Sequence, residues 1–79
     1  MSHPNFKRLD VRKLITRGIE PFPKIRKSVD ALTTGEGLAV IAPFLPSPLI
    51  EKLRGENFQS RAEPQPDGSW ITYFWREAE

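Results

Sequence analysis

Cysteine is missing from this 79-residue chain, and histidine and methionine occur once each. Without a thiol there is no disulfide, no thiolate zinc site and no sulfur nucleophile or carrier. His3 has no second histidine to work with. No Ser–His pair can be assembled in the folded region, and a metal site would need ligands from carboxylates. No apolar run approaches the ~20 residues of a membrane helix. Residues 1–5 lack the apolar core of a signal peptide. No glycine-rich phosphate loop is present, because Gly35-Glu36-Gly37 follows a helical segment instead of preceding one. These absences point away from an enzyme, a metal, a cofactor or a membrane partner, and toward a cytoplasmic protein.

The charge that is present is unevenly placed. Net charge is +2, too small to imply nucleic acid. Residues 1–27 hold eight Lys and Arg against Asp10 and Glu20, and residues 28–79 hold eight acids against four bases. Such polarity can make a basic surface, or leave solvated faces that attract one another within the fold.

Length and composition fit one small domain. Residues 1–6 read as a flexible tail, 7–76 as the domain and 77–79 as a C-terminal tail. Residues 7–12 alternate, with Leu9 and Val11 on one side and Asp10 and Arg12 on the other, as in a half-buried strand. Residues 13–19 read as a connection with a turn at Gly18. Phe22, Ile25, Val29 and Leu32 form one stripe of a helix from Pro21 to Leu32, where proline is tolerated in the first turn. Leu38–Ala42 is an apolar run short enough for a central strand. Ser47 is a natural N-cap for a helix from Pro48 to Arg54, with Gly55 as its stop. Residues 58–63 alternate as a third strand, and Pro64 and Pro66 discourage further pairing. Asp67-Gly68 makes a turn into a strand over residues 69–76.

The order β-α-β-α-β-β fits a two-layer α/β sandwich, a four-stranded mixed sheet with two helices on one face. Glu20-Pro21-Phe22-Pro23, a few residues after Leu9-Asp10-Val11-Arg12, resembles the helix start of the TusA-like (SirA-like) small α/β domains. In those sulfur carriers a Cys-Pro-x-Pro motif opens the first helix, and its cysteine carries persulfide sulfur. Here Glu20 stands at the cysteine's position. The chain is more similar still to a cysteine-free branch classed as a domain of unknown function. That branch shares the Leu-Asp-Val-Arg opening, the Pro-Phe helix start, the turn at Thr34-Gly35-Glu36, Ala42-Pro43-Phe44 and the Asp67-Gly68-Ser69-Trp70 hairpin. The resemblance covers residues 7–76. It implies the same fold and no established activity.

Two places are candidates for function. Glu20 is expected at a helix N-terminus, where amides and the helix dipole favour a carboxylate. It is read first as a cap, a poor general acid and a poor nucleophile. Asp10 and Arg12 either pair on the surface or line a pocket with Glu20 at the strand-to-helix mouth. The final strand places Trp70, Thr72 and Phe74 on one face and Ile71, Tyr73 and Trp75 on the other. The resemblance turns the first set to the core. Ile71, Tyr73 and Trp75 then lie on the open sheet, beside Ala39 and Ile41.

An apolar group of that size marks an interface unless neighbouring side chains cover it. The leading expectation is a non-enzymatic module that binds a protein partner, including a second copy of itself, through the open face and the basic N-terminal third. Alternatives are a thiol-less accessory in sulfur or redox metabolism, and a weak nucleic-acid binder stacking bases on Tyr73 and Trp75.

Overall fold

A computed structural model describes residues 5–76. His3, the first four residues of the expected tail and residues 77–79 lie outside the described residues. The elements are β1 (Asn5–Asp10), α1 (Arg12–Thr16), α2 (Phe22–Asp30), β2 (Glu36–Ala42), α3 (Ser47–Arg54), β3 (Gln59–Pro64) and β4 (Trp70–Trp75). The sheet order is β1-β2-β4-β3, with β1 parallel to β2 and the other pairs antiparallel. This is the mixed four-stranded α/β sandwich expected from the pattern of elements. Among the described residues no helix is long and apolar enough to cross a membrane.

Ile25 and Val29 of α2 and Leu49 and Leu53 of α3 close over Leu38, Val40, Ala42 and Phe74. Phe74 is wholly buried, and burial of such side chains is the main driving term for a small domain. Trp70, Thr72 and Phe74 face this helical layer, as expected.

Several boundaries differ from the sequence reading, the main ones for physical reasons. β1 starts at Asn5, because the Asn5 N–H reaches the Gly35 carbonyl at 2.9 Å and draws residues 5 and 6 into the sheet. It stops at Asp10, so Arg12 belongs to a helix and does not share a strand face with Asp10.

The connection contains α1, a single extra turn that packs Leu14 and Ile15 against the core. It closes with the Ile19 N–H on the Leu14 carbonyl at 2.8 Å and the Gly18 N–H on Ile15 at 3.0 Å. That pair is a Schellman closure, and it needs the left-handed backbone of Gly18, at φ 74°. Tertiary burial supports a helix too short to persist alone.

α3 starts at Ser47 with Pro46 before it, and no side chain caps it, so Ser47 is not the N-cap. At its far end Gly55 is ordinary helical backbone at φ −64°. Asn57 takes the left-handed role at φ 71°, with the Phe58 N–H on the Leu53 carbonyl at 3.0 Å. Pro64 pairs with Trp70 inside β3; an edge strand tolerates a missing N–H.

One buried polar atom stands out. Thr72 is fully buried on the helix side of β4, and its hydroxyl has no hydrogen-bond partner. A buried hydroxyl without a partner loses its hydration for nothing. Thr72→Val keeps the shape and removes the hydroxyl. It is expected to stabilise the fold by about 1 kcal/mol, read as a higher urea midpoint at unchanged slope.

Candidate functional site

The face of the sheet opposite the helices is built by strand alternation. Phe6, Arg8 and Asp10 of β1 lie beside Gly37, Ala39 and Ile41 of β2. Ala39 and Ile41 lie beside Tyr73 and Ile71 of β4, and these beside Arg61 and Glu63 of β3. Tyr73, Trp75 and Ile71 are half-buried. The sequence reading therefore finds Ile71, Tyr73 and Trp75 on one face.

Ile41 is a correction. It lies on that face but is only 2% exposed, so it is floor and not contact surface. Ala39, at 7%, is floor as well.

Phe6, which the sequence pattern places in the tail, lies in β1 and supplies much of the cover. Its ring meets Tyr73 edge-on at 5.0 Å between centroids and Trp75 at 6.1 Å. Such edge-to-face pairs are favourable beyond their area. The ring crosses Gly37, where a Cβ would come within 2.6 Å of Phe6 Cε1 and of the Phe74 carbonyl oxygen. A glycine opposite an aromatic is the signal that could have brought residue 6 into the sheet. Gly37→Ala is expected to cost about 1–3 kcal/mol through the displaced ring and strand, read as a lowered melting midpoint.

At the C-terminal end of β1 the second candidate site is an ion-pair clamp. Arg12 grips Asp10 with Nε to Oδ1 at 3.0 Å and Nη2 to Oδ2 at 2.7 Å. Its Nη1 reaches Asp67 Oδ2 in the β3–β4 turn at 3.2 Å. Because β2 lies between β1 and β4, the guanidinium bridges across the end of β2. Asp67 Oδ1 accepts from the Ser69 N–H at 2.9 Å and its hydroxyl at 2.6 Å. The Arg12 hydrogen bond holds the Asp10 carboxyl below its usual range, and the two Ser69 donors, with Arg12 further away, do the same for Asp67.

Glu20 is not part of this group. It is exposed and makes none of the hydrogen bonds or ion pairs found among the described residues. Nor does it cap: α2 has no side-chain cap, and Pro21 is its N-cap residue. Prolines at 21 and 23 remove two of the four amides a helix start leaves open, so the need that Glu20 was expected to meet is halved. Among the described residues no three acids or histidines gather as a metal site.

The chain belongs to the family described as Uncharacterized conserved protein (DUF2249), which matches residues 8–76. No curated protein and no solved structure matches it.

Asp10 and Asp67 have folded pKa values below the ordinary 3.8. Their contribution is thus present above that value and lost as pH falls through the lower folded ones. Melts from pH 7 down to pH 2 should show Arg12→Gln less stable than the parent at neutral pH. The gap should narrow below pH 4, as the carboxylates protonate in both proteins.

Proposed function

We propose that this protein is a non-enzymatic binding module whose open sheet face receives a protein partner. The observation that supports this is the group of Phe6, Ile71, Tyr73 and Trp75 on the one side of the sheet that carries no helix. Aromatic side chains that keep part of their surface in water are enriched at the centres of interfaces. The TusA-like likeness belongs to the same reading. The element order and the Pro21–Pro23 helix start support it, and the lack of cysteine removes persulfide carriage.

Nucleic acid is the second reading, favoured by Arg8 and Arg61 on either side of Tyr73. Asp10 and Glu63 stand in the adjacent row, so the face offers phosphates no net positive field. A protein surface of mixed charge suits it better.

A photoreactive group at Gln59, beside Trp75 on β3, should crosslink a protein, from a native extract or a second copy of the chain. The same group at Lys24, on the outer side of α2, should not. Tyr73→Ser/Trp75→Ser should stay folded and lose the Gln59 adduct by about tenfold or more. Equal labelling from both positions, or an adduct indifferent to the double substitution, defeats the proposal.

A further inference from the structure

The open face has a charge order that its apolar content alone does not require. One row across the sheet reads Arg8, Ala39, Tyr73, Arg61. The next, two residues along each strand, reads Asp10, Ile41, Ile71, Glu63. Both edges of the sheet therefore carry a cation in one row and an anion in the other. Arg8 has no ion-pair partner among the described residues. Arg61 pairs only with its own Glu63, at 3.1 Å and with 72% of its side chain exposed.

Two copies stacked face to face with their strands aligned can be related by a two-fold axis in either of two directions. An axis along the strands lays each row on its own counterpart, cation on cation and acid on acid. An axis across the strands, passing between the two rows, lays each row on the other. Arg8 then meets the partner's Asp10, which is already held by its own Arg12 but keeps 41% of its side chain exposed, Arg61 meets the partner's Glu63, and Tyr73 packs on the partner's Ile71. Like-charge contact excludes the first arrangement and opposite charge selects the second. An isologous interface of this kind is the commonest way for a chain to pair with itself.

We propose that the partner of this face is a second copy of the chain, docked sheet to sheet about an axis across the strands. This rests on the reading of the open face as a protein-binding surface, and it names the partner. Four strands paired over about six residues span about 19 by 20 Å. That footprint, about 400 Å² per copy, is roughly half of a standard interface. The dimer is accordingly weak and concentration-dependent.

Sedimentation equilibrium from 10 μM to 1 mM, with a melt of every variant, tests the pairing. The parent should show a monomer–dimer equilibrium. Arg61→Glu sets an acid against the partner's Glu63 twice per dimer and should weaken association by tenfold or more. Arg8→Glu should do the same from the opposite edge. Arg61→Glu/Glu63→Arg exchanges the rows at that edge and should return association to within about threefold of the parent. A parent that stays monomeric at 1 mM overturns the proposal. So does a reversal without effect, or a double reversal that fails to restore the dimer. If the parent is monomeric while Gln59 still crosslinks another protein from an extract, the binding face stands and self-pairing falls. If both fail, both readings fall. Binding of a labelled single-stranded oligonucleotide that Arg61→Glu weakens, with no dimer at any concentration, also overturns self-pairing.

Discussion

Strand β2 has no charge after Glu36 and no side chain longer than isoleucine, and every residue from Gly37 to Ala42 is buried. Water must therefore be kept from both of its faces. Only one face has helices, where Leu38, Val40 and Ala42 join the core under α2 and α3. The other face is shielded by what its neighbours lend: the Phe6 ring over Gly37, the aromatics of β4 and the Arg12 bridge at the far end. The open face is thus a thin cover over an already buried strand. Its aromatics hold the floor in place with one surface and leave the other accessible.

The layout of the sandwich was readable because its longer elements follow simple periods. The stripe at Ile25 and Val29, the apolar run of β2 and the alternation of β4 each match one template. What escaped reading depends on contacts made elsewhere. α1 is five residues long and exists because Leu14 and Ile15 find the core. Phe6 joins β1 because Gly37 leaves room for its ring. Asn57 ends the turn after α3 where Gly55 was the obvious candidate. At the candidate sites, alternation puts Ile71, Tyr73 and Trp75 on one face of β4. It could not say that Ile41 is covered, because the cover comes from other strands. Glu20 does not cap α2, because Pro21 and Pro23 leave only half of the usual open amides at that helix start.

The basic first third of the chain finds much of its opposite charge within the molecule. Arg12 holds Asp10 and Asp67, Lys7 approaches Glu36 at 3.4 Å, and Arg26 binds Asp30 and Glu56. Arg26 contacts Glu56 through two nitrogens at 2.7 and 2.9 Å, tying α2 to the turn after α3. Three of these contacts, Lys7–Glu36, Arg12–Asp67 and Arg26–Glu56, join segments far apart in sequence. They give the charge polarity a structural role: attraction between the basic early elements and the acidic later ones.

The two outer strands bear on how the molecule behaves in crowded solution. β1 and β3 are the edges of the sheet, each with a row of backbone groups open to pairing. β1 carries Lys7, Arg8 and Asp10 among its six residues, and β3 carries Arg61, Glu63 and Pro64. Charge and proline on exposed edges discourage the endless strand-to-strand addition that leads to fibrils. The molecule can therefore keep its aromatic face part-exposed without inviting lateral sheet growth.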